Sequence, residues 1–309
     1  METLNRMATE LVDEAIDFAE ELTIGVHGLT GDAAVLDFGV DRPGGVEAGL
    51  LLAEIQTAGL ATVQTGVDTV EGNPLTHVEL STDHPALGLL CAGKAGWELS
   101  VGDFEGLGSG PARALVAEED IFGRVGYRED ADFAVLAVET DRLPDEEVAR
   151  AVAERAGVPE SAVFLPAYAT ASVTGSVVAA SRAAELATLR LAESGYDPAS
   201  VLSATGRAPV APVADGEEAA MARTTDALVY GGQVHLHLED PVEDPEAVAS
   251  TAAEEYGRPC ADVFADVDWD LAALPVDFFG PAQVTVDVLG GETRVVGETR
   301  PDLLTGSFF

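Results

Sequence analysis

Apolar positions fall at helical spacing at Leu4, Met7, Leu11, Ile16 and Phe18, which predicts a helix from Glu2 to Leu22. Ala33 to Phe38 reads as a strand, and Pro43-Gly44-Gly45 as a turn. Val46 to Thr57 reads as a helix ended by Gly59. Strands are expected at Leu60 to Gln64 and Thr76 to Leu80, with a polar turn at Gly72-Asn73-Pro74 between them. His84-Pro85 opens a helix that carries Leu87, Leu90, Cys91 and Lys94. Trp97 to Val101 is a strand, and Gly102 to Leu115 a glycine-rich loop running into a helix started by Pro111. A strand at Asp132 to Val138, a helix at Pro144 to Ala156 and a strand at Ala162 to Ala167 follow. Thr205 to Pro212 reads as a second Gly/Pro loop. Ala227 to Tyr230 and Gln233 to Leu238 read as a hairpin, Pro245 to Tyr256 as a helix, and Gln283 to Val288 with Thr293 to Val296 as a closing hairpin. Helices and strands alternate, but the strand spacing is too irregular for a simple doubly wound sheet. The fold class is therefore α/β, of the α+β type, with a domain boundary expected between Val158 and Pro166, giving domains of residues 1–160 and 161–309.

The strongest pattern runs from Thr170 to Ser194 and predicts one long helix. Thr170 or Ser172 offers the N-cap oxygen, and Gly195 stands where a helix ends. On a helical wheel Thr174, Val178, Arg182, Glu185 and Leu189 share one stripe. Arg182 and Glu185 are neighbours on an otherwise core-like face. Unpaired charge there is costly, so the two pair or face a polar pocket. From the helix alone, a structural ion pair and a catalytic pair are both open.

Charge changes the picture next. The 309 residues carry 55 acidic and 16 basic side chains, for a net charge of −39. The acids are spread along the chain, as on a surface kept hydrated in concentrated salt. No basic face offers itself to nucleic acid. No apolar run is long enough for a membrane span. Residues 1 to 22 lack a signal-peptide pattern, which predicts a cytoplasmic protein. Cys91 and Cys260 are too few for a disulfide framework. Fifteen of the 16 basic residues are Arg, so Lys94 is the one lysine. Lysine and arginine are not interchangeable at a point-charge site, which marks Lys94 for function.

Short motifs add less. Gly88 to Lys94, GLLCAGK, has phosphate-loop spacing but lacks the following hydroxyl, and its interior prefers helix. Gly106 to Gly110, GLGSG, ahead of Pro111 and Arg113, is a weak candidate anion site. His235, His237 and Glu239 alternate onto one strand face but lack a further metal ligand, so two histidines on a half-exposed strand are the favoured reading. Cys91 fits core better than nucleophile.

Taken in order, Pro43 to Val63, Ser81 to Phe104, Gly108 to Leu115, Thr170 to Glu185, Ala204 to Gly216 and Tyr230 to Leu236 resemble the archaeal methenyltetrahydromethanopterin cyclohydrolases. The resemblance spans nearly the whole chain. It implies two α/β domains enclosing a deep pocket, a homotrimer, and no metal or redox cofactor. It implies catalytic Arg182 and Glu185 in the motif Ser181-Arg182-Ala183-Ala184-Glu185, with Lys94 as the pocket lysine. Ser109, Gly110, Arg113, Thr170 and Ser181 are the expected substrate-binding residues. The implied partner is a small pterin, a tetrahydromethanopterin derivative that is substrate and not bound cofactor. The same chemistry on a folate-type carrier and a non-catalytic pterin-binding protein are the alternatives.

Overall fold

A computed structural model describes residues 2–270 and 273–309. The chain forms two compact units that exchange segments: Met1–Ala61 with Leu87–Val178, and Thr62–Ala86 with Ala179–Phe309. The expected boundary near residue 160 lies inside the first unit.

The first unit holds helices α1 (Leu4–Asp17), α2 (Val46–Gln56), α3 (Ala112–Val116), α4 (Asp120–Val125) and α5 (Glu146–Ala156). Its seven-stranded mixed sheet uses β1 (Gly25–Gly28), β2 (Ala34–Gly39), β5 (Trp97–Val101), β6 (Phe104–Ser109), β7 (Ala134–Val135), β8 (Ala137–Glu139) and β9 (Val163–Tyr168). β2, β7 and β8 run parallel to β9, and β6 and β5 continue antiparallel beyond β8. Helix α5 brings Val148, Ala149, Val152 and Ala153 into a core with Val35, Trp97, Leu99 and Leu165. Its N-cap is Asp145, whose carboxylate accepts from the amides of Glu147 and Val148. Helix α1 takes its cap from far away in the sequence. Glu129 accepts from the backbone amides of Leu4 and Asn5, and the buried Asn5 side chain donates to Pro111 O and accepts from Val135 N. Two expectations shift here. Helix α1 stops at Asp17, five residues early. Gly106 to Ser109 of the GLGSG stretch are not loop but the end of strand β6, and Gly110 follows it at φ +106°. A Cβ at Gly106 would come within 2.8 Å of Val138, and one at Gly108 within 3.0 Å of Leu136. These glycines make room for neighbouring side chains and do not bend the chain.

The second unit holds β3 (Thr62–Val70), β4 (Asn73–Thr82), β10 (Val201–Pro209), β11 (Gln233–Leu238), β12 (Gln283–Val288) and β13 (Thr293–Gly297), in the order β13-β12-β11-β10-β4-β3. Only β11 and β12 are parallel. Helices α7 (Ala183–Glu193), α8 (Glu217–Gly231), α9 (Cys260–Asp266) and α10 (Pro301–Phe308) belong to it. Tyr230, Phe264, Phe278, Leu304 and Phe308 anchor its core. One sheet face is apolar and covered, with Ala204, Ala208, Leu236 and Val286 buried. The other is polar, with Arg207 opposite Gln233, Thr205 opposite His235 and Ser203 opposite His237. Three more expectations fail here. Thr205 to Pro209 is strand, not loop. Ala227 to Tyr230 ends a helix and is no hairpin arm, because four consecutive buried residues show no period to read. Pro245 to Tyr256 forms two short 3₁₀ turns, Pro245–Val248 and Ser250–Ala252, in place of a helix.

Candidate functional site

The long central helix is broken at Arg182. Helix α6 runs Val173–Ser181 and α7 begins at Ala183. Ser172, not Thr170, caps α6, its Oγ accepting from Gly175 N at 2.9 Å. At the break Arg182 N donates to Ala179 O, three residues back, and Arg182 sits at φ −82°, ψ −1°. The periodicity could not show this, since apolar spacing continues across the joint. At the far end the amides of Gly195 and Tyr196 donate to Ala192 O and Leu191 O, and Gly195 adopts φ +96°.

The break fixes Glu185 as the third residue of α7. A carboxylate there faces the positive end of the helix dipole. Arg182 Nη1 lies 3.3 Å from Glu185 Oε1, and the Glu185 side chain is only 8 % exposed. Strand β10 backs this turn at Gly206, where a Cβ would come within 2.5 Å of Ala184 N and 2.9 Å of Ala184 Cβ. Only glycine lets the strand lie this close to the first turn of α7. Gly206 is thus a positioning residue that the sequence reading missed. Its signal was present, since a lone glycine inside a strand-like run marks close backbone approach. Ser181, the last residue of α6, is buried.

The other named residues lie in the first unit, in two groups. The first is built on a π-helix, Ala86–Gly93, where the sequence predicts an ordinary helix. Lys94 N closes its last turn on Leu89 O, five residues back, at 2.7 Å. A turn this wide leaves its terminal carbonyls splayed. Arg113, 2 % exposed, donates to the carbonyls of Leu90, Cys91 and Ala92, and also holds Glu119 at 2.7 Å. The other Glu119 oxygen takes Lys94 Nζ at 2.8 Å. Gly110 N donates to Ala92 O. Arg113 is therefore committed to the end of the π-helix, and the five-residue α3 behind Pro111 offers no anion cradle of its own. Cys91 is buried, and desolvation pushes its thiol up to about 12, ahead of an opposing pull from Arg113. Such a thiol is core and not nucleophile.

The second group is a buried polar chain. Gln56 Nε2 donates to Ser109 Oγ at 2.8 Å and to the Tyr168 hydroxyl at 3.4 Å. Tyr168 and Thr170 donate to Glu139 at 3.5 and 2.5 Å. Ser109 and Thr170 are thus joined through Gln56, Tyr168 and Glu139, three residues that no motif announced.

For metal ligation, the structure corrects one residue. Glu239 lies beyond the end of β11 and does not join His235 and His237. Asp287, from parallel strand β12, does, and this is the one such cluster among the described residues.

Residues 3–308 match the family model described as Cyclohydrolase (MCH). The chain belongs to the methenyltetrahydromethanopterin cyclohydrolase family. It is 56 % identical over 308 residues to the methenyltetrahydromethanopterin cyclohydrolase of Halobacterium salinarum, covering 100 % of this chain and 99 % of that one. It is 37 % identical over 318 residues to the cyclohydrolase of that name from Methanothermobacter marburgensis, and 35 % identical over 312 residues to that of Methanospirillum hungatei, each covering 100 % of this chain and 99 % of the relative. The α/β architecture expected from the resemblance is present in both units. No helix among the described residues is long and apolar enough to cross a membrane.

Proposed function

We propose that this member of the family reversibly hydrolyses 5,10-methenyl-tetrahydromethanopterin to 5-formyl-tetrahydromethanopterin. Family membership over the whole chain supports the reaction, and the Arg182–Glu185 pair at the break between α6 and α7 is the observation that carries the mechanism. The methenyl carbon bridges two nitrogens and is cationic, so it is electrophilic without a Lewis acid. The protein has to place a water, accept its proton and manage charge. The water oxygen forms a bond to the methenyl carbon. Glu185 takes the proton that the water gives up. Glu185 returns that proton to one nitrogen as its bond to the carbon breaks, and the added hydroxyl gives up its own proton to solvent as it becomes the formyl carbonyl. The net change is one water consumed and one proton released.

Arg182 holds Glu185 and opposes the negative charge of its carboxylate, which also attracts the cationic substrate. Lys94 balances charge as the substrate cation is discharged. Ser109, Gly110, Thr170 and Ser181 belong to substrate binding in this reading. Arg113 acts at one remove, by fixing the end of the π-helix from which Lys94 projects. The enzyme works as a cytoplasmic homotrimer with no resident cofactor.

The test uses the methenyl absorbance. The purified protein in molar KCl is offered methenyl-tetrahydromethanopterin and methenyl-tetrahydrofolate separately. Rapid decay with the first alone is expected. Faster decay with the folate would move the substrate to that carrier, and tight binding without decay of either would make the chain a binding protein.

A further inference from the structure

The polar face of the second unit's sheet carries a group that the proposed reaction leaves unused. His235 and His237 project from β11, and Asp287 from β12 stands opposite His237. Residues two apart on a strand are about 6.6 Å apart at their Cα atoms. The two imidazole centroids are only 4.3 Å apart, so the rings lean together. Both Nε2 atoms converge on one oxygen, His235 at 3.8 Å and His237 at 3.7 Å from Asp287 Oδ2. These distances are too long for hydrogen bonds. They approach the roughly 3.4 Å that separates two ligands of a tetrahedral ion bound at about 2.0–2.1 Å. His237 Nδ1 is hydrogen-bonded to Ser203 Oγ at 2.8 Å. With Nδ1 as donor, Nε2 turns its lone pair toward Asp287, the arrangement a metal-ligating histidine takes. His235 Nε2 is shielded from solvent and has no hydrogen-bond partner.

We propose that His235 Nε2, His237 Nε2 and the Asp287 carboxylate bind one divalent transition ion of the zinc class. Imidazole ligands select zinc, cobalt, nickel or copper over magnesium and calcium. Three protein ligands leave a fourth position for water. The ion clips β11 to β12, two parallel strands that the chain connects only through residues 239–282. The chain carries 55 acidic residues but only five histidines, two of them here. The site is independent of the proposed reaction.

Cobalt(II) is the probe. Chelator-treated protein in molar KCl with excess Mg²⁺ is titrated with CoCl₂, and visible absorption is read. Saturation at one ion per chain, reversed by ZnCl₂, is expected. His237→Ala abolishes the band and Asp287→Asn weakens binding further than Ser203→Ala, which costs about 10–100-fold in affinity. Far-UV circular dichroism and turnover of all three variants stay at the wild-type level, which separates loss of a ligand from loss of the fold. An unchanged cobalt spectrum in His237→Ala, or no saturable binding with Mg²⁺ present, would assign the ions to surface carboxylates and overturn the site.

Discussion

Two carboxylates in this molecule are held by cations where helices are irregular, and they are held differently. Glu119 takes Lys94 on one oxygen and Arg113 on the other, beside a π-helix whose carbonyls Arg113 also satisfies. Glu185 takes Arg182 at the break between α6 and α7, at the positive end of a helix. In the first cluster the guanidinium is 2 % exposed and consumed by the fold. In the second the guanidinium is 17 % exposed, its residue stands at the break, and the carboxylate belongs to the first turn of α7. A buried arginine is thus no guide to catalysis by itself. What it spends its donors on decides, and Arg113 spends them on carbonyls.

Arg113→Ala strips three carbonyls and a carboxylate of their partner. A loss of about 3–5 kcal/mol of stability is expected, read as a lowered unfolding midpoint in denaturant. A variant of normal stability that merely binds substrate poorly would return Arg113 to the ligand. Lys94→Ala comes next. The Lys94–Glu119 pair is partly exposed and contributes little to stability. Turnover is expected to fall on the order of a hundredfold with the midpoint nearly unchanged. Lys94→Arg can still pair with Glu119 but should restore little activity, since the planar head places its charge differently. Full recovery with Arg would make Lys94 a structural partner like Arg113. The smallest effect is expected from Gly206→Ala. The added methyl would meet Ala184 N at 2.5 Å, so the first turn of α7 must move, which should lower turnover about tenfold while leaving substrate binding intact. Equal loss of binding and turnover would place Gly206 against the substrate.

The sequence disclosed these regions unequally, and the residues show why. Asp145, Ser172 and Gly195 do at the ends of helices what their types predict, because capping is local chemistry. β5 and β12 follow their alternation, each half-buried on one face. Gly106, Gly108 and Gly206 misled, because glycine permits either a turn or a close approach, and only the neighbours across the sheet decide which. The break at Arg182 and the π-helix before Lys94 were invisible for a related reason. The π-helix depends on what receives its displaced carbonyls, and Arg113 lies some twenty residues from those it satisfies. Glu119, Glu139, Gln56 and Asp287 escaped notice because no spacing along the chain links them to their partners. The Arg182–Glu185 pair was legible despite the break, since residues three apart still meet across the first turn of α7.

In the proposed mechanism Glu185 is the base for water addition and Arg182 its positioning partner. The direct measurement is single-turnover decay of the methenyl substrate by Glu185→Gln, Arg182→Ala and the double variant, with thermal unfolding of the same samples in high salt. Glu185→Gln keeps size and packing but removes the proton acceptor, so its rate should fall by roughly a hundredfold or more while substrate still binds. The double variant should lose far less than the product of the single losses, because the two act as a unit. A folded Glu185→Gln protein that turns over normally, or rate losses that only follow lost stability, would contradict the assignment and leave the pair a structural one.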